Sequence, residues 1–299
     1  MAELPRMVVV AGTNASGKSA LAVELASRYG GEVISADSRQ VYRGLDLGSG
    51  KITPAEMRGV PHHLLDVCDP GEFFSMADFQ RLAYAAIDGA LARGRLPFLA
   101  GGTGLYVAAV ADGYALSDVQ PDLRYRAELE KLSTPALYAL LCERLPGVTV
   151  DAANRNRVMR MLEKLHDGDL TQAAKNPRYR TLRLGVTWPR EVLCARIDER
   201  LDRRLSEGLI AEVEGLLAAG VSADFLRRLG LEYRYVSAYL LGEIATQAEM
   251  RDELARAIKR FAKRQMTWFR RDESIRWLDM AGDPLAQACA AIDAFLLEA

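Results

Sequence analysis

The chain has 299 residues, 49% of them hydrophobic, with 39 basic against 40 acidic side chains and a formal net charge of −1. It is long enough to bury a sizeable core as one large or two small domains, and any nucleic-acid surface must be local rather than global. No apolar stretch approaches the ~20 residues of a membrane span or the run of a signal peptide; four scattered cysteines without a C-x-x-C pair and only three histidines argue against zinc, disulfides or a Ser–His–Asp site and for a reducing cytoplasm.

The apolar run Met7-Val8-Val9-Val10-Ala11 predicts a strand over 7–12. It leads into Gly12-Thr13-Asn14-Ala15-Ser16-Gly17-Lys18-Ser19, which is G-x-x-x-x-G-K-S without mismatch, and a helical pattern follows over 18–29. Strand, glycine loop and helix form the setting of a phosphate cradle, because the first N–H groups of a helix have no internal partner. Lys18 adds a full positive charge, and the Ser19 hydroxyl is placed to ligate Mg²⁺. The chain therefore handles a di- or triphosphate.

Further strands are predicted over 32–37, 63–68 and 96–100, with a helix over 75–93. That alternation implies a parallel sheet covered on both faces, with ligands beyond the carboxyl ends of its strands. From 116 to 180 the rhythm breaks into helical stretches at 122–132, 135–144 and 154–165, before Leu182–Thr187 returns as a strand. Residues 116–180 are thus expected to be a helical insertion in an α/β core built from 1–115 and 181–299. The part from 190 onward is mostly helical, with turns at Ala219-Gly220 and Gly282-Asp283-Pro284.

Two more strand ends carry chemistry. Asp37, in Asp37-Ser38-Arg39-Gln40, suits a magnesium partner, a general base or a structural cap equally well. Gly101-Gly102-Thr103-Gly104 permits close backbone approach, and Thr103 can bond a phosphate oxygen or order a carboxylate. His62-His63 with Asp66 and Asp69 invites a metal reading, but loop and strand-start positions are the better account. Residues 256–271 hold seven basic side chains and no acidic one. On a helix, Arg256, Lys259, Arg260, Lys263, Arg264 and Arg271 form a stripe beside a mainly apolar face of Ile258, Phe261, Ala262, Gln265, Trp268 and Phe269. A phosphate-backbone surface explains this single-sign face better than a solvated one. Arg155, Arg157 and Arg160 make a second basic cluster.

The phosphate loop, the block Ile34-Ser35-Ala36-Asp37-Ser38-Arg39-Gln40-Val41-Tyr42, Gly101-Gly102-Thr103-Gly104 and Ala262-Lys263-Arg264-Gln265-Met266-Thr267-Trp268 together resemble the tRNA dimethylallyltransferase (tRNA isopentenyltransferase) family nearly end to end. The resemblance implies a P-loop NTPase-like, nucleotide-kinase-like core with a mobile insertion that contacts tRNA. It implies transfer of a dimethylallyl group from dimethylallyl diphosphate to N6 of the adenosine 3′ of the anticodon, with Mg²⁺ on Ser19. In that scheme Asp37 takes the amine proton, while Ser38, Arg39 and Gln40 hold the adenosine. Gly12 through Ser19 take the diphosphate, with Lys18 and Thr103 catalytic. Arg124, in Pro121-Asp122-Leu123-Arg124, matches a site arginine. Arg157, Arg160, Lys259, Lys263 and Arg264 would meet the anticodon stem-loop, and a monomer is expected. The sequence departs from the family's common pattern at Thr13-Asn14, at Gly48-Ser49-Gly50-Lys51, at Asp151 to Arg157 and at Gly230-Leu231-Glu232-Tyr233. A small-molecule P-loop kinase would share the core but leave the basic helix without a use. A nucleotide-gated RNA-binding module would leave Asp37 and Thr103 without one.

Overall fold

The computed structural model describes residues 3–116, 122–169 and 174–298. The sheet strands are β1 (Arg6–Gly12), β2 (Glu32–Ser35), β3 (His62–His63), β4 (Pro97–Gly101), β5 (Arg180–Thr187) and β6 (Ile275–Asp279). They lie in the order β3-β2-β4-β1-β5-β6, and every neighbouring pair is parallel. Helices α1 (Lys18–Arg28), α2 (Pro54–Met57), α3 (Met76–Ala92) and α4 (Gly104–Ala111) connect or flank the first four strands. This is the P-loop NTPase-like architecture, in which the phosphate loop leaves the carboxyl end of a central strand.

β1 shows why the sheet needs near-continuous apolar strands. Val8 and Val10 point into a layer formed with Leu21 and Leu25 of α1, while Met7, Val9 and Ala11 point into the opposite layer with Phe79, Ile87 and Val107. Successive side chains of a strand face opposite sides, so a strand covered twice must be apolar throughout. A third cluster gathers Val41, Tyr42 and Leu45 beneath the C-terminal helices α8 (Arg190–Ser206), α9 (Leu209–Ala218), α10 (Ala223–Leu229), α11 (Leu231–Leu240) and α12 (Gln247–Phe269). The last helix, α13 (Pro284–Leu297), packs Ile292 and Phe295 into the first layer.

Two compact units divide the chain: Met1–Gly113 with Pro177–Ala299, and Tyr114–Asn176. The smaller unit holds α5 (Leu123–Glu130), α6 (Thr134–Arg144) and α7 (Arg155–His166) around Leu129, Leu137, Leu141, Val158 and Leu162. Its helices start at side-chain caps: Asp122 accepts from the Arg124 amide, Ser133 from that of Ala136 and Asn154 from that of Arg157. Pro121, part of the motif around Arg124, lies outside the described residues.

Two local expectations are corrected, and two short elements are new. The strand expected over 63–68 shrinks to His62–His63, because Leu64 and Asp66 take positive φ values of 65° and 55°, which no strand accommodates. Strand β6 went unread: its five residues are half exposed, as suits an edge strand following a strongly helical segment. Helix α2 is one turn, nucleated by a Thr53–Glu56 capping box. Arg271 falls beyond the end of α12, so the basic stripe stops one residue pair earlier than helical spacing suggested.

Candidate active site

The loop after β1 turns sharply into α1, with Ala15 at φ 60° and Gly17 at φ 89°. Its carbonyls are engaged from outside. Ser16 Oγ and Lys18 Nζ reach Thr13 O (2.8 and 3.3 Å), Trp188 Nε1 donates to Ser16 O (3.0 Å) and Arg196 Nε to Ala15 O (3.0 Å). The amides of Ala15, Ser16, Gly17, Lys18 and Ser19, by contrast, find no acceptor among the described residues, and Gly17 gives α1 no side-chain cap. Unspent amides at a helix N-terminus are an anion seat. Thr13 is wholly buried and Asn14 uses its amide on Gln265 Oε1 (3.0 Å), whereas Ser19 is exposed on the first turn of α1.

Gln265, from α12, closes this loop against the loop after β4: its Nε2 donates to Gly102 O at 2.8 Å. The glycines there are sterically required. A Cβ on Gly101 would lie 2.1 Å from Ala36 O, and one on Gly104 would lie 2.2 Å from the Trp268 ring. Thr103 accepts from the Ser38 amide (3.1 Å), and its own amide donates to Ala36 O (3.2 Å), so the β2 and β4 ends are tied together through this residue.

Asp37 follows β2 and is buried. One carboxylate oxygen, Oδ1, accepts the Arg39 amide (3.0 Å) and stands 3.7 Å from Arg39 Nε. The other, Oδ2, has no hydrogen bond among the described residues. Gln40 is spent within the protein, accepting from Ser35 Oγ (2.9 Å) and donating to Gly50 O (3.1 Å). Ser38 and Thr103 hydroxyls are 3.4 Å apart.

A narrow cleft joins the phosphate loop to the end of β2, lined by Asn14, Lys18, Ser19, Asp37 and, from α8, Arg200 and Arg204. Burial is the main influence holding the Lys18 ammonium down at about 8; Asp37 opposes it, and Arg200, Arg39 and Arg204 reinforce it. Burial and then Arg204 likewise push Arg200 downward, although a guanidinium stays protonated. Among the described residues Arg200 has only Gly50 O, at 3.4 Å, as a hydrogen-bond acceptor. The cleft is therefore short of negative charge until an anion enters. Arg200 and Arg204 escaped the sequence reading, though Arg196, Arg200 and Arg204 recur every fourth residue along one face of α8.

The other sequence-derived candidates fall elsewhere. Arg124 and Arg157 are exposed at the starts of α5 and α7 in the smaller unit, and Arg160 pairs with Glu163 (3.3 Å). On α12, Lys263 and Arg264 are exposed, the latter 5.5 Å from the Phe261 ring centroid, but Lys259 is ion-paired with Asp198 at 2.6 Å. His63 bonds Glu32 (2.7 Å) and His62 bonds Val60 O (2.8 Å); no His/Cys/Asp/Glu cluster able to hold a metal exists among the described residues.

A phosphate loop facing a buried carboxylate across one cleft, at the carboxyl edge of a parallel sheet, defines a P-loop group-transfer enzyme. A family model described as IPP transferase matches residues 40–272, and one described as isopentenyl transferase matches residues 5–71. The chain is 44% identical over 294 residues to the tRNA dimethylallyltransferase 2 of Shewanella sediminis, covering 96% of this chain and 97% of that protein. It is similar to the crystal structure of the tRNA isopentenylpyrophosphate transferase of Bacillus halodurans, with a TM-score of 0.74 and 40% identity over 98% of this chain and 96% of that one. The corresponding enzyme of Staphylococcus epidermidis gives a TM-score of 0.72 at 31% identity, over 97% and 99% of the two chains. The chain belongs to the tRNA dimethylallyltransferase family of prenyltransferases.

Proposed function

We propose that this enzyme transfers the dimethylallyl group of dimethylallyl diphosphate to N6 of the adenosine 3′-adjacent to the anticodon of tRNA, releasing diphosphate. The observation that carries the reading is the cleft in which Ala15, Lys18 and Ser19 of the phosphate loop, with their unspent amides, and Arg200 face Asp37 with its open Oδ2. N6 attacks the allylic carbon, the carbon–oxygen bond to diphosphate breaks with its electron pair, and the N6 proton passes to Asp37 Oδ2. The loop amides, Lys18 and Arg200 stabilise the charge gathering on the departing diphosphate, which is where preorganised donors contribute most. Thr103, through the Ser38 amide, fixes the turn that presents Asp37.

Magnesium fits this donor set. The exposed Ser19 hydroxyl lies in the cleft with Asp37, and Mg²⁺ favours a few protein oxygens completed by water and substrate phosphate. Ser19 would hold it, and the ion would supply further neutralisation of the leaving group. The exposed Lys263 and Arg264, with Arg124, Arg157 and Arg160, are the side chains for phosphates of the anticodon stem-loop, and the target base must leave its stack to reach Asp37. Incubation with dimethylallyl diphosphate, unmodified tRNA and Mg²⁺, followed by nucleoside analysis, tests the reading. N6-dimethylallyladenosine is expected. A phosphorylated small molecule, or RNA binding without modified nucleoside, would replace it with the kinase or the binding-module reading.

A further inference from the structure

We propose that Glu232 is a positioning residue of this active site: its carboxylate holds the Arg39 guanidinium so that Arg39 braces Asp37 without closing a tight pair on it, and Arg204 holds Glu232 from the other side. This rests on Asp37 being the proton acceptor.

Glu232 is buried in the first turn of α11, where the helix N-terminus favours a negative charge. Its Oε2 takes Arg39 Nη1 at 2.9 Å and its Oε1 takes Arg204 Nη1 at 3.5 Å. Arg39 thus has two carboxylates within reach and is bound closely to the one that does no chemistry, while Asp37 keeps the longer 3.7 Å contact. The seat is built around this arrangement. A Cβ on Gly230 would come 2.8 Å from Arg39 Cδ, and a Cβ on Gly50 would come 1.6 Å from Arg204 Nη2. Gly50 also stands at φ 63°, so a side chain there is disfavoured twice.

Removing the charge of Glu232 leaves two buried guanidiniums and one nearby carboxylate, Asp37. Arg39 then has every electrostatic reason to swing onto Asp37, engaging the oxygen that must accept the amine proton. The donor-binding amides and Lys18 have no hydrogen bond to Glu232 among the described residues, and Arg200, which stands beside Arg204 and loses a nearby anion, is left with more reason to hold a diphosphate, not less.

The test is Glu232→Gln in the full-length enzyme, with steady-state kinetics for both substrates and a melting curve. The expected result is a fall in kcat of about tenfold to a hundredfold, the cost of misplacing a catalytic group by a fraction of an ångström or more, with KM for dimethylallyl diphosphate unchanged or lower. Glu232→Asp, which keeps the charge, should recover part of kcat. The double variant Glu232→Gln/Arg204→Met removes one buried cation along with the anion and covers the case in which Glu232→Gln folds poorly. In a well-folded double variant kcat should remain low. Recovery of kcat alongside the melting temperature, or a Glu232→Gln enzyme of normal kcat, would overturn the proposal and leave Glu232 a purely structural charge. Asp37→Asn run in parallel separates the two layers: if that variant still transfers, the proton-acceptor reading falls first.

Discussion

Lys18 and Asp37 face each other across the cleft, and their predicted failures differ in kind. Lys18→Ala should lower turnover by about 10²–10³, the range for removing one preorganised donor to a developing anion, because the loop amides and Arg200 are left without its charge on the diphosphate. Near-normal transfer at saturating donor would remove the phosphate-loop argument. Asp37→Asn should instead leave Mg²⁺-dependent donor binding intact while transfer falls by about 10²–10⁴; collapse of donor binding would make Asp37 a metal partner and move the base elsewhere. The depressed Lys18 ammonium adds a pH signature. Burial is the first cause that holds it down at about 8 in the protein alone. A bound diphosphate favours the charged form and raises that value. Below neutrality Lys18 is charged in both states, so binding takes up little. Above pH 8 the free protein has lost the proton and must regain it on binding, and affinity should drop by up to about tenfold per pH unit. Calorimetry with inorganic diphosphate at pH 9, in metal-free buffers of contrasting ionisation enthalpy, should show nearly one proton more taken up by the wild-type protein than by Lys18→Met, since the ligand's own titration is common to both. The same proton balance in the two proteins would assign the titration to another group.

At the scale of elements, α12 does two jobs from two faces. Its inner face carries Gln265, which holds the phosphate loop at Asn14 and the β4 loop at Gly102. Gln265→Leu strands both backbone groups, each costing about 1–3 kcal/mol when buried without a partner, so a lowered melting temperature and weakened donor binding are expected together. Its outer face carries Lys263 and Arg264, whose replacement by alanine should weaken tRNA binding and flatten its salt dependence by about 0.7–0.9 in log–log slope for each phosphate no longer neutralised. Lys259→Ala should behave differently, because its ammonium is already paired with Asp198; a loss of slope from that variant matching that of Lys263→Ala would show that tRNA displaces the ion pair. The contrast explains what was legible in the sequence. The phosphate loop, Asp37 and Thr103 sit in contiguous motifs at strand ends, where local pattern dictates local geometry. Arg200, Arg204, Glu232 and the clamp made by Gln265 acquire their roles only when α8, α11 and α12 converge, and no local spacing encodes that convergence. The shortened β3 was misread because an apolar run, His63-Leu64-Leu65-Asp66-Val67-Cys68, looks extended until two positive φ angles break it.

For the whole molecule, the near-neutral charge conceals a division of labour: buried cations gather around the cleft while exposed ones serve as expected RNA contacts. No helix among the described residues is long and apolar enough to cross a membrane, and all four cysteines are free. The smaller unit can be tested as a module. Its chain ends are held side by side, with Tyr114 and Lys175 forming an antiparallel bridge and the Ala115 amide donating to Ala174 O at 2.9 Å. Ends fixed this way are spanned by a two-residue hairpin turn such as Asn-Gly, so replacing residues 116–173 with that turn requires no rearrangement of the strands it joins. The unit keeps its own apolar core around Leu137, Leu141 and Leu162, and every loop amide, Lys18, Asp37 and Arg200 belongs to the larger unit. The excised protein should therefore unfold cooperatively and bind inorganic diphosphate with an affinity close to that of the full chain, while losing transfer to tRNA along with Arg124, Arg157 and Arg160. Diphosphate binding lost in a protein that still melts cooperatively would mean that the phosphate site is not complete within the larger unit. Retained tRNA transfer would remove those three arginines from the substrate-binding surface.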